Sequence, residues 1–179
     1  EVRASYAFVE RNFNLVKRYW GWEAVWIMYG IANALAVTYI GAGMGALTGQ
    51  AVDTQFLVMY LLIGTVVWRY LSIVFDSLSE MIMWERWEGT IEYTFMAPVS
   101  RLTHMVGQTI FSVVYGLMQA GLILLAVALF FHIDLSHANF YGASTVLMAG
   151  SLSFIGVGII AAVLPMLYPE RGAQMTNFA

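Results

Sequence analysis

An all-α, polytopic membrane protein is the fold class this sequence predicts, and three observations predict it. Sixty per cent of the 179 residues are apolar and only 11% are charged, whereas about a quarter are charged in soluble domains; the mean hydropathy is +0.73. Four stretches, 24–47, 56–75, 106–131 and 140–164, each reach the roughly 20 mostly apolar residues that a helix needs to cross about 30 Å of hydrocarbon, and Arg69 is the one Lys or Arg inside any of them. The basic residues are placed with complete asymmetry. Arg3, Arg11, Lys17 and Arg18 precede the first span, Arg86 and Arg101 lie between the second and third, and Arg171 follows the fourth, while 49–55 and 132–139 contain no Lys or Arg. Basic residues mark the cytoplasmic side, so the N-terminus and the segment 83–101 are expected inside. Helices are expected because backbone in lipid must satisfy its own hydrogen bonds, and barrel strands would be about half as long and alternating.

The first element, 9–22, divides cleanly on a helical wheel. Glu10, Arg11, Asn14, Lys17 and Arg18 fall on one arc and Val9, Phe13, Leu15, Val16, Tyr19 and Trp20 on the other, with Asn12 as the misfit. A basic face opposite an aromatic-rich apolar face describes a helix lying in the membrane interface. Near the outer end of the first span Gly41, Gly45 and Gly49 recur every four residues, the small-residue spacing that lets transmembrane backbones approach closely; close packing is expected there, with dimerisation the less favoured use. Asn33 and Gln119, polar residues within the first and third spans, read as interhelical hydrogen-bonding groups.

Arg69 lies about two-thirds of the way along the second span. A long side chain at that depth can snorkel to the interface or pair with Asp76, and an intramembrane charge also marks a candidate substrate path; Asn33 and Tyr60 are its candidate companions. In the outer loop His132, Asp134 and His137 carry ligand-capable side chains, but their spacing does not stack on one helix face, and solvated loop residues are the expected reading. With no cysteine in the chain, disulfides and thiolate metal sites are excluded, and a net charge of −3 lacks the clustered cations that nucleic-acid binding needs.

The segment between the second and third spans, MWERWEGTIEYTFMAPVSR at 83–101, is the most informative in the chain. Read as one helix over 84–97, it places Trp84, Trp87, Ile91 and Phe95 on one arc and Glu85, Glu88 and Glu92 on the next. Pro98 drives Ala97 out of helical geometry, and Ser100 can cap the helix that follows. Carboxylates beside an anionic leaflet are disfavoured, so a docking surface for a cytoplasmic protein is the economical explanation.

Glu85-Arg86, Gly89-Thr90, Glu92 and Pro98-Val99-Ser100-Arg101 together resemble the coupling-helix region of the permease subunits of type-2 ATP-binding-cassette exporters. The order of neighbours, an amphipathic helix, two spans, this segment and further spans, is similar to the first two-thirds of that family's six-span permease. The resemblance implies that the chain is a piece of a longer permease with two more spans beyond Arg171. It also implies a pair of permease copies in a prokaryotic cell membrane, driven by separate cytoplasmic ATPase subunits that bind ATP and Mg. In that frame Trp84, Glu85, Arg86, Trp87, Glu88, Gly89, Thr90, Ile91, Glu92, Pro98 and Arg101 form the ATPase-coupling surface, with the glutamates as polar contacts, Trp84, Trp87 and Ile91 as anchors and Gly89 allowing close backbone approach.

The chain itself has no ATPase site. A phosphate-cradling loop requires Gly-Lys followed by Ser or Thr, and the single lysine, Lys17, stands between Val16 and Arg18. No Ser, His and acid constellation lies where neighbouring helices could assemble a nucleophile. The expected cargo is an amphiphile: a drug, a lipid or a lipid-linked glycan. Two rival readings are an ion-coupled secondary transporter using Arg69 and Asp76, and a membrane scaffold that recruits a cytoplasmic protein.

Overall fold

A computed structural model describes residues 1–48, 53–133 and 139–168. Among them every regular element is helical: α1 Val2–Arg18, α2 Trp20–Thr48, α3 Thr54–Ser79, α4 Met81–Trp87, α5 Ile91–Met96, α6 Arg101–Phe131, α7 Phe140–Ala161 and α8 Leu164–Leu167. Helices α2, α3, α6 and α7 are long and apolar enough to cross a membrane, the character of a multi-pass membrane protein. Each begins or overruns where local chemistry allows. Asp53 accepts from Phe56 N at the start of α3, Ser100 from Thr103 N at α6 and Asn139 from Gly142 N at α7, each supplying an acceptor to a first-turn N–H that has no intrahelical partner. The Ser100 cap and the extended Ala97 before Pro98, with ψ 143°, match the sequence-based reading. At its far end α6 stops with His132 in the left-handed conformation, φ 52°, and both His132 N and Ile133 N bond back to Ala128 O.

α3 is the axis of the bundle, packing on α2, α6 and α7, while α6 also carries α1 along one side. The core changes partners along α3. Toward its N-terminal half, Leu62 packs with Ala34 of α2 and Ile123 and Val127 of α6; toward its C-terminal half, Tyr70, Val74 and Leu78 pack with Ala120 of α6 and the partly buried Leu147 and Ile155 of α7. Tyr70 Oη and Ser151 Oγ lie 2.6 Å apart across the α3–α7 contact. Beyond the spans, at the end of the bundle carrying Arg86 and Arg101 (the basic end), Met81 and Ile82 of α4 close on Ala162 with Ile91 and Met105 beside them.

Small residues set the crossings, as expected where lipid and side chain are equally apolar. A Cβ on Gly158 would sit 3.1 Å from Leu78 Cβ, and one on Gly107 only 2.8 Å from both Ser5 O and Phe8 Cβ. Gly41 of the sequence-predicted stripe meets Leu57 and Leu61 of α3, so its close packing is within this chain; Gly49 lies outside the described residues, as do Asp134 and His137.

α1 begins and ends earlier than the 9–22 expected, and Phe13 of its apolar arc packs on α6 while Tyr19 and Trp20 beyond its end are exposed. Ser5 Oγ donates to Thr103 O (3.2 Å), Phe8 stacks on His104 (4.7 Å between ring centroids), Asn12 Nδ2 donates to Gln108 Oε1, and Phe13 meets Phe111 edge-on. These pairs advance together along both helices, so α1 runs beside the first turns of α6. Asn12, the residue that spoils the apolar arc, is buried and partnered by a buried glutamine, as buried polar groups generally are.

Candidate functional site

The segment 83–101 folds as a corner. Instead of one helix over 84–97, α4 and α5 are separated by a turn in which Gly89 takes φ +70°. Thr90 N bonds to Glu85 O and Gly89 N to Arg86 O, the paired 6→1 and 5→2 bonds that end a helix on a left-handed glycine. This corrects the single helix expected over 84–97. The helix breaks because a glycine at this position can adopt an angle that L residues resist; open space surrounds a Cβ built on Gly89.

The break redistributes the side chains. Trp84 and Trp87 stay on the outside and stack edge to face, 5.5 Å between centroids, with Trp87 79% exposed. Arg86, Glu88, Glu92, Tyr93, Met96, Pro98 and Arg101 are also exposed, and Thr90 is half-buried, its hydroxyl donating to Glu85 O. Ile91, expected beside the tryptophans, turns inward toward Met81 and Ile82. Arg101 stands over the Phe95 ring at 4.8 Å.

Glu85 is the main correction. Expected as a surface contact, it is 2% exposed, and one oxygen, Oε1, accepts from Arg11 Nη2 at 2.6 Å and His104 Nε2 at 2.8 Å. The carboxylate therefore joins α1, α4 and α6 at a point that only tertiary structure creates. Burial alone would raise its pKa, but the hydrogen bonds and charges of His104 and Arg11 together outweigh that and hold it below the ordinary carboxylate value. Five residues earlier, burial pushes the Glu80 carboxyl upward, against a hydrogen bond from Trp84 Nε1 (3.2 Å) and with the Asp76 charge adding to the rise. Sequence reasoning missed Arg11 and His104 as site residues. The available signal was a histidine and a glutamate flanking apolar helices with no solvated loop to explain either.

A second polar group lies between the spans. Tyr115 Oη of α6 donates to Glu23 of α2 and receives Gln119 Nε2. Gln119 is 2% exposed, and its Oε1 has no hydrogen-bond partner among the described residues; Arg69 Nε, also buried, has none. Gly30 makes the room, since a Cβ there would stand 3.8 Å from Arg69 Nε and 2.9 Å from Ile123 Cδ1. The inner part of the Arg69 side chain is thus enclosed by helices. No ion pair joins Asp76 to Arg69. Of the companions expected for Arg69, Tyr60 is exposed and stacked on Phe56 (6.2 Å) and Asn33 is exposed on α2, with no interhelical hydrogen bond of Asn33 among the described residues.

The corner offers apolar rings and carboxylates on a rigid base, an arrangement suited to docking; among the described residues no three His, Cys, Asp or Glu side chains converge as a metal site would require. No protein family, no curated protein and no solved structure matches the chain.

Proposed function

We propose that this chain is the membrane-spanning permease part of an ATP-driven exporter, working as a pair of copies in a prokaryotic cell membrane with the basic end and N-terminus in the cytoplasm. The α4–α5 corner receives a separate ATPase subunit, which binds the ATP and Mg. One observation carries this reading: the corner exposes Trp84, Trp87, Glu88 and Glu92 while its underside is fastened through Glu85 to both α1 and α6. A solvated loop helix needs neither the exposed rings nor the fastening. A docked ATPase that tilts the corner would move α6 through His104 and α1 through Arg11, so that a cytoplasmic displacement reaches the spans.

The cargo is an amphiphile, and its path includes Arg69, whose buried Nε is a donor left unmet, as the buried Gln119 Oε1 is an acceptor left unmet. The test is co-purification followed by flux. Glu88→Lys with Glu92→Lys is expected to release the ATPase subunit and abolish ATP-dependent export while the protein still inserts. Unchanged export, or flux that follows an ion gradient without ATP, refutes the proposal, the latter in favour of a secondary transporter using Arg69 and Asp76.

A further inference from the structure

A partly enclosed cavity of about 180 Å³ lies under the corner, and the exporter reading gives it no task. Its walls are apolar: Met81 and Ile82 from α4, Phe95 from α5, Met105 from α6, and Ile159 and Ala162 from the end of α7. Its polar lining is Thr94, Ser100, Arg101 and His104. We propose that this cavity binds the acyl chain of an anionic amphiphile, with the head held by Arg101.

Three arguments converge on that chemistry. The volume exceeds the about 150 Å³ apolar cavity that accepts a benzene-sized guest, so the site has room for several methylenes. The cation at the rim is available: Arg101 is exposed, its partner is the Phe95 ring, and neither ion pair of the described residues involves it. The hydroxyls of Thr94 and Ser100 are already engaged, with Thr90 O and with Thr103, and His104 is held by Glu85, so Arg101 is the lining group left to meet a charged head. A chain seated there wedges α4 and α5 against the end of α7 and so sets the angle of the corner.

Both a free fatty acid and an anionic phospholipid carry this chemistry, and the test separates them. The full chain, purified in a non-ionic detergent, is melted with oleate, dioleoylphosphatidylglycerol, oleyl alcohol or dioleoylphosphatidylcholine. The anionic compounds are expected to raise the melting temperature saturably and their neutral counterparts to leave it in place; a response to oleate alone assigns the fatty acid, and a response to phosphatidylglycerol assigns the lipid. Arg101→Gln is expected to weaken the apparent affinity about tenfold, the loss of one charge-assisted contact, and Ala162→Leu, which fills the cavity, to remove the response. A photoreactive fatty acid on the unmodified protein is expected to label residues 81–82, 95, 105 or 159–163, a readout that does not depend on how the variants fold. Equal responses to charged and neutral compounds, or labelling elsewhere in the chain, overturn the proposal.

Discussion

Removing charge at the Glu85 junction separates a tertiary ion pair from a surface one, and the order of effects can be worked out in advance. Glu85 Oε1 holds Arg11 at 2.6 Å and His104 at 2.8 Å, and the side-chain exposures are 2% for Glu85, 30% for Arg11 and 7% for His104. Breaking a buried pair by deleting one partner costs about 3–5 kcal/mol because a charge is left stranded. In Glu85→Gln the stranded charge is Arg11, which can turn toward solvent, and Gln keeps an acceptor in place, so the cost falls to about 2 kcal/mol. In Arg11→Gln the stranded charge is the buried Glu85, with only His104 to answer it, and the cost is about 3 kcal/mol. At this chain length about 2–4 °C accompany each kcal/mol. Melting temperatures of the detergent-solubilised protein, followed by tryptophan fluorescence, are therefore expected to fall by about 4–8 °C and about 6–12 °C respectively. The double variant strands nothing and is expected to melt above Arg11→Gln alone. Strict additivity, or an Arg11→Gln effect no larger than that of exposed Arg18→Gln, refutes the junction. The pH dependence has a fixed sign: the pKa of Glu85 is lowered in the folded protein, so its contribution is fully present above the ordinary glutamate pKa and is lost as pH falls through the lowered folded value. Glu85→Gln is expected to flatten stability in that acid window.

Glu80 has the opposite sign, because its carboxyl is raised by burial; stability is lost as pH rises through the unfolded value toward the folded one, and Glu80→Gln is expected to melt no lower than the parent at pH 7 and to lose its relative advantage in acid. Gly89→Ala, at φ +70°, is expected to cost about 1–2 kcal/mol, and Gly89→Asn less, since asparagine tolerates the left-handed region; equal melting of glycine and alanine forms would exclude the strained turn. Gly107→Leu, whose Cβ would meet Ser5 O and Phe8 at 2.8 Å, is expected to lift α1 from α6, seen as faster limited proteolysis within residues 2–18, and unaltered cleavage would contradict the α1–α6 contact.

What was legible in the sequence follows from where the information sits. Long apolar runs announce α2, α3, α6 and α7, but their ends are tertiary. α6 starts at Arg101 rather than within the apolar stretch because Ser100 caps it and because Thr103, His104 and Gln108 are buried against α1 and α4; a hydropathy window sees those residues only as polar. A helical wheel through 84–97 treats Gly89 as one more residue, and its positive φ turns the second half away, which is why Ile91 left the face assigned to it; Glu85, before the break, is covered by Arg11 of α1 and His104 of α6. The Pro98 stop and the Ser100 cap were readable, since both act on adjacent backbone. Asn12 carried more information than the pattern it disturbed: an amide on an apolar arc needs a partner, and Gln108 is that partner, 96 residues away.

The same junction bears on why charge was placed there at all. A buried ion pair is a weak source of stability, and well-packed apolar residues of similar volume are often neutral or better. Simultaneous Arg11→Met, Glu85→Met and His104→Leu is therefore expected to melt within a few degrees of the parent or above it, with Phe8 still covering position 104. What the apolar set cannot do is define one register of α1, α4 and α6, because dispersion contacts are non-directional, whereas Oε1 accepts two donors along fixed directions. If the junction transmits motion from the corner to the spans, the triple variant folds, keeps the corner's exposed face and associates with its partner, yet loses coupled export. Export at the parental rate by a stably folded triple variant would show that the three helices need only be packed, and the transmitting role of Glu85 would fall.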